Sequence, residues 1–254
     1  MPRQPPEDGQ VGSTRELGSG DVTFDPSRIL FQGNGVLVVH KPAGTPVHRG
    51  TDHPLGFAEM IDEWVRMNPG VIEIRPGTPV RPVHRLDRET SGVLALALQA
   101  EAARRLQAAF EGQEVRKEYR AVVAGPVEAI GHIKGRSSQR GRGPARWVKT
   151  ELEFRRLRGD ERLSLVAVVP AGGRTHQIRA LFAQAGRPLA GDLRYGRPKP
   201  ARQFLEKFRV PFFLLHAWRL TLPESILGAA RTFEAPIPAE IHTIVAEKGW
   251  KPLD

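Results

Sequence analysis

Six consecutive apolar residues, Val93-Leu-Ala-Leu-Ala-Leu98, form the longest uninterrupted apolar run in the chain. A run of that length and composition reads as a buried strand, and the chain must build a sheet around it. It falls far short of the roughly 20 residues needed to cross a bilayer, so no membrane partner is expected. Other segments carry weaker versions of the same signal. Val36–Val39 is a short apolar run closed by the turn Lys41-Pro-Ala-Gly44. Residues 118–124 and 163–169 are strand-like, as are 213–220, and Val148–Phe154 alternates apolar with charged residues. Phe57, Met60, Ile61, Trp64 and Val65 recur at helical spacing until Asn68-Pro-Gly70 stops them. Further helices are expected over 100–111, over 175–185 with Thr175 as N-cap, and over 238–248. Strands and helices mix without regular βαβ alternation. The expected fold class is therefore α+β, with a mixed, mostly antiparallel central sheet and flanking helices.

Residues 1–24 are rich in Pro, Gly, Ser and charge and read as a disordered arm. Residues 25–254 read as a single domain, long enough to fold on its own core. The chain has no cysteine, which excludes disulfides and thiolate metal sites. Its N-terminus lacks the apolar segment of a signal peptide, so a cytoplasmic location is expected. The formal net charge is +10. Two arginines against four acids leave the arm at −2, so the remaining residues carry +12. Excess charge of this kind keeps a protein soluble, and it also suits a polyanion such as nucleic acid.

Two polar clusters stand out. Arg81-Pro-Val-His-Arg-Leu-Asp-Arg-Glu-Thr-Ser-Gly92 runs directly into the apolar strand, where a loop can be held rigidly. Taken alone, it reads first as a salt-bridged surface turn, with Arg85 paired to an acid such as Glu89. Gly172-Gly-Arg-Thr-His-Gln-Ile-Arg179 opens a helix. Arg179 could form a charge-assisted pair with a carboxylate brought to it by the fold. A third segment, Lys134–Arg146, holds five basic residues, three glycines and no acid. It reads as a flexible hairpin loop whose Arg136, Arg140 and Arg142 could touch phosphates, or as solvated charge.

The string His84-Arg-Leu-Asp-Arg-Glu-Thr-Ser-Gly92 resembles the active-site motif of the RluA family of pseudouridine synthases. Val38-Val-His-Lys-Pro-Ala-Gly44 with His48, Lys117-Glu-Tyr119, Gly173–Arg179, Gly191–Gly196 and Leu215-His-Ala217 resemble further family motifs in the same order. The resemblance spans about residues 29–237. It departs at His40, where the family commonly has Asn, and at Ala180-Leu181, which replace a frequent Val-His. The small RNA-binding domain that many members carry ahead of the catalytic part is not expected here, since residues 1–24 are too few to form it.

The resemblance implies an isomerase that turns uridine into pseudouridine in ribosomal or transfer RNA, without cofactor or metal. It implies that Asp87 is the catalytic carboxylate, as nucleophile or as base, and that Arg179 pairs with it. Tyr119 matches the residue stacked on the target base, with a part in removing the proton from carbon 5 left open. Arg85 matches the residue that fills the gap left by a flipped base. RNA is the implied partner; no partner protein is implied, and a monomer is expected. His84, His176 and His216 are expected to be hydrogen-bonding scaffold. The rival reading is a catalytically silent RNA-binding or ribosome-assembly protein of the same fold. It would keep the basic surface without needing Asp87, Tyr119 and Arg179 together. A metal-dependent hydrolase would need ligands at fixed spacing, such as His-x-x-x-His, and none is present.

Overall fold

A computed structural model of the chain describes residues 24–50, 55–74, 77–139 and 146–253. In the first half, strands β1 (Ile29–Gly33) and β2 (Val36–Lys41) precede helix α1 (Phe57–Met67). The short β3 (Arg81–Pro82), β4 (Ser91–Ala97) and α2 (Ala100–Glu111) follow. The second half contains β5 (Arg116–Ala124), β6 (Ile130–Gln139), β7 (Arg146–Gly159), β8 (Leu163–Pro170) and α3 (Gln177–Gln184). It ends with α4 (Pro198–Phe208), β9 (Leu215–Leu222), α5 (Glu224–Leu227), β10 (Arg231–Glu234) and α6 (Ala239–Glu247). All the strands join one sheet in the order β1-β2-β4-β9-β5-β8-β7-β6, with β3 on β4 and β10 on β9. Among the described pairs only β4 and β9 run parallel, so the sheet is mixed and mostly antiparallel as expected.

The apolar run of β4 is buried on both faces, as its composition demands. Leu94 and Leu96 pack with Phe57, Met60 and Ile61 of α1 on one face. Val93, Ala95 and Ala97 pack with Ala102, Leu106 and Ala109 of α2 on the other. The second half repeats this layering. Val166 and Val168 meet Ile178, Leu181 and Phe182 of α3 on the α1 side. Leu163 and Leu165 meet Phe204, Phe208 and Ile241 of α4 and α6 on the α2 side. Burying side chains of this size stabilises by about 1.5–3 kcal/mol each, which is why the sheet must be covered twice.

The halves join at the parallel contact of Ser91 with His216 and Gly92 with Ala217. Gly92 has φ +120°, and a Cβ there would lie 2.2 Å from the Ala217 carbonyl oxygen. Only glycine fits this seam.

The chain differs from its sequence reading in four places. Lys134–Gln139 is part of β6 and not a loop, because it pairs residue by residue with β7. The Gln184 side chain also holds the Arg136 backbone, accepting from its N–H at 3.1 Å and donating to its carbonyl at 2.7 Å. This pairing overrides a composition typical of loops. Arg140 and Arg142 lie outside the described residues. Thr175 does not cap α3: His176 takes a left-handed conformation (φ 53°), so the helix starts after it, at Gln177. Phe24, the last residue of the expected arm, is 2% exposed and packs edge-on against Phe57 and Trp64; residues 1–23 lie outside the described residues. Helix α4, which the apolar spacing did not reveal, starts with proline at N1, where the missing N–H does no harm.

Candidate active site

Asp87 sits on the loop between β3 and β4, and the loop is clamped from below. Lys41 at the end of β2 is fully buried, and its Nζ donates to the carbonyls of Pro42 and Thr45 (both 2.7 Å) and of Arg88 (3.2 Å). The Gly44 N–H donates to the same Arg88 carbonyl at 2.8 Å. Burial pushes the Lys41 ammonium down to about 7, against the pull of the Glu89 and Asp87 carboxylates. The Thr90 N–H donates to the Asp87 carbonyl at 3.1 Å, closing the turn. The carboxylate is thus held by a folded loop rather than by a flexible tip.

The histidines of the motifs form the scaffold beneath. His84 stacks on Phe110 at 4.4 Å, and its Nε2 accepts from the Ala95 N–H at 2.9 Å. Burial, aided by the Lys117 charge, pushes it down to about 3. His216 shares a 2.9 Å hydrogen bond with Ser91 Oγ across the seam. Burial pushes it down to about 4, despite the Ala235 carbonyl. Both rings are neutral at physiological pH and serve the β4 framework.

Opposite the loop, Arg179 projects from the first turn of α3 and ties two carboxylates together. Its Nη1 donates to Asp87 Oδ2 at 3.0 Å. Its Nε and Nη2 donate to Asp192 Oδ2 and Oδ1 at 2.7 and 3.1 Å. Asp192 is fully buried, and its Oδ1 also accepts the N–H groups of Arg194 and Tyr195, both at 3.0 Å. The guanidinium lies over the Phe213 ring, 4.3 Å from its centroid. Arg179 therefore has no freedom to turn, and its third nitrogen, Nη1, is aimed at Asp87. Its pKa is raised: the bonds and charges of Asp192 and Asp87 outweigh burial, the largest single influence, which acts to lower it.

His176 borders the same carboxylate, with Nε2 3.7 Å from Asp87 Oδ1 and Nδ1 sharing a 3.1 Å bond with the Tyr195 hydroxyl. Burial lowers its pKa against the pull of Asp87. Its left-handed backbone costs on the order of 1 kcal/mol and brings the ring to the carboxylate.

Asp87, Tyr119, Arg85 and Arg179 all line one open cleft, with Thr90, Arg174, His176 and Leu215. Tyr119 rises from β5 on the α1–α3 side of the sheet and packs against the cores of both halves. Desolvation, followed by the Asp87 charge, pushes its phenol above the ordinary range. Arg85 is exposed at the cleft and makes no hydrogen bond or ion pair among the described residues. Glu89 pairs with Arg88 instead, at 3.3 Å. Arg136, on β6, does not line the cleft. Asp192 has no role in the sequence reading, although Gly191–Gly196 was among the motifs. An aspartate followed at two and three residues by backbone N–H groups in a turn is the signal that points to it. Among the described residues, no group of three or more His, Asp or Glu is placed to hold a metal ion.

Residues 35–184, more than half of the chain, match the family described as RNA pseudouridylate synthase. The chain belongs to this family. The tRNA pseudouridine synthase C of Yersinia pestis is 30% identical over 247 residues, covering 87% of this chain and 91% of its own. The ribosomal large subunit pseudouridine synthase D of Nitrosomonas europaea is 29% identical over 246 residues, covering 92% of this chain and 69% of its own. The solved structure of human RNA pseudouridylate synthase domain containing 4 shares the fold, with a TM-score of 0.72 at 22% identity over 90% of this chain and 95% of that one. As a pseudouridine synthase, the protein is an isomerase.

Proposed function

We propose that the protein isomerises particular uridines of transfer or ribosomal RNA, with Asp87 acting directly on the target nucleotide. The observation that carries this reading is the Asp87–Arg179–Asp192 chain at a cleft walled by Tyr119. The reaction breaks the bond between N1 of the base and C1′ of the ribose, turns the base, and rejoins it through C5, whose proton is lost while N1 takes one up. It needs one carboxylate held at the sugar and base, and a surface that keeps the detached base in place while it turns. Arg179 spends two donors on Asp192 and so presents a fixed third to Asp87. The Tyr119 ring supplies the surface, and desolvation with the Asp87 charge keeps its hydroxyl protonated in the resting site.

A uridine inside a helix must leave its stack to reach Asp87. Arg85 is the group that enters the gap, because its planar guanidinium is exposed at the cleft and spent on no ion pair among the described residues. Exposed Arg136 adds a phosphate contact from the β6–β7 arm. Two similar proteins are named for transfer RNA and for the large ribosomal subunit, which supports these two RNA classes.

The test is Asp87→Asn assayed on RNA carrying tritium at uridine C5. Tritium release should fall to background while RNA affinity stays within about threefold, since shape is kept and only the reactive group is lost. Appreciable release by this variant removes Asp87 from the chemistry. Pseudouridine mapping in cells lacking the protein should show the loss of one or a few sites in transfer or ribosomal RNA.

A further inference from the structure

The reverse face of the sheet carries a second polar cleft that the catalytic reading does not use. Neighbouring residues of a strand point to opposite faces, so Arg120 turns away from the side that Tyr119 occupies. The register runs Arg120–Ala167–Arg155 across β5, β8 and β7. Strands lie about 4.8 Å apart, so the two arginines start roughly 10 Å apart with only an alanine between them. Arg158, Trp218 and Arg219 complete the polar lining, and Glu234 is the one acid among the lining residues.

The charges of this cleft are poorly matched. Arg120 is 7% exposed, yet its guanidinium makes no hydrogen bond among the described residues, and its Nη1 is buried without a partner. Arg155 is exposed and likewise unpaired among the described residues. Arg219 has Glu234 at 2.6 Å, and Arg158 donates to the carbonyls of Lys251 and Pro252 at 2.8 and 2.7 Å. Burial, opposed by Glu118 and abetted by Arg219 and Arg155, pushes Arg120 down to about 10. A buried guanidinium without an acceptor is a costly arrangement, and it signals a missing anion.

The site is also built rather than incidental. A bulge in the β5–β9 pairing leaves Trp218 unpaired between Ala217 and Arg219, and a bulge re-aims the side chain it carries. The guanidinium carbons of Arg120 and Arg219 lie 3.5 and 3.6 Å from its ring centroid. Two planar groups that close cannot share one face, so the indole is sandwiched between them. The sandwich holds Arg120 upright and leaves its donors as the fixed part of the cleft.

We propose that this arginine cleft binds a phosphate group, seated between Arg120 and Arg155 on the face opposite the Asp87 cleft. A tetrahedral oxyanion matches two guanidinium groups lining one cleft and the charge they leave unmatched. The phosphate comes either from the backbone of bound RNA or from a free phosphorylated molecule, and the two arms of the test separate these sources.

The test uses the full chain as wild type, Arg155→Gln and Arg120→Gln. Arg155 is exposed, so its variant keeps the test alive if Arg120→Gln fails to fold. In the first arm, inorganic phosphate is titrated at constant ionic strength while the Trp218 indole and Ala167 amide resonances are followed. Saturable shifts with phosphate but not chloride, weakened at least fivefold in Arg155→Gln, support the site. In the second arm, RNA affinity is measured against salt. If the backbone supplies the phosphate, Arg155→Gln lowers the slope of log affinity against log salt by about 0.7–0.9, with the single-turnover rate at saturating enzyme unchanged. A changed slope assigns the site to RNA. An unchanged slope with phosphate binding intact in wild type assigns it to a free phosphorylated molecule. Neither phosphate-dependent shifts nor a changed slope overturns the proposal. Every readout is binding, so a failure of the Asp87 reading would appear separately, as RNA bound without isomerisation.

Discussion

Replacing Asp192 with Asn puts the greatest strain on the proposed site while changing the fewest atoms. The carboxylate is fully buried and receives four donors: Arg179 Nε and Nη2, and the N–H groups of Arg194 and Tyr195. An asparagine oxygen can still accept from the two backbone groups and Arg179 Nη2. Its amide nitrogen then faces Arg179 Nε, donor against donor, where a 2.7 Å bond stood. Removing one partner of a buried ion pair costs about 3–5 kcal/mol, and keeping the backbone bonds places this variant near 3 kcal/mol. The catalytic effect comes through position. Held at residue 192 through Nη2 alone, Arg179 swings toward Asp87, the one carboxylate left to it, and pulls that group out of line. A charge-assisted hydrogen bond is worth about 1.5–3 kcal/mol, so a misdirected one slows the reaction by roughly 10- to 150-fold. Urea unfolding reads the first quantity, and single-turnover tritium release at saturating enzyme reads the second. A variant within about 0.5 kcal/mol of wild type that also turns over within twofold would refute the claim that Asp192 holds Arg179 for Asp87.

Other consequences are open to direct measurement. Arg85→Ala should slow isomerisation of a uridine inside a helix by about tenfold or more, yet leave a single-stranded substrate nearly unaffected; equal loss on both would deny the gap-filling role. Gly92→Ala should destabilise by about 3 kcal/mol or more, or abolish soluble expression, because its Cβ would meet the Ala217 carbonyl at 2.2 Å; a wild-type urea midpoint would show that the seam yields easily. Acid should weaken the fold through His84 and His216. Their native values of about 3 and about 4 lie below the unfolded value of about 6.5, so the unfolded chain binds more protons between these limits and stability falls as pH drops below about 6.5. From pH 8 to pH 5 the loss is about 2 kcal/mol for each histidine, and a flat urea midpoint over that range would contradict their burial as neutral rings.

The apolar run at Val93–Leu98 was legible by itself as a buried strand from its length and composition, and the packing of α1 and α2 then covers it on both faces. The polar motifs were equally legible as residue types: Asp87, Tyr119, Arg85 and Arg179 stand in strings whose order along the chain marks the family. What the sequence could not express is distance. Asp87 and Arg179 are 92 residues apart, and their 3.0 Å bond exists because the β4–β9 seam brings the two halves of the sheet together. Asp192 was invisible as a functional group, since a carboxylate in a turn gains its role only when burial leaves it one cation to hold. Tertiary pairing also decided the fate of Lys134–Gln139, where six backbone partners on β7 outweighed the glycine and serine that favour a loop. Lys117-Glu-Tyr-Arg120 shows both sides of the matter. Alternation sends Tyr119 to one face of β5 and Arg120 to the other, yet only the neighbours supplied by β8 and β9 make the first a cleft wall and the second a buried charge without a hydrogen-bond acceptor among the described residues.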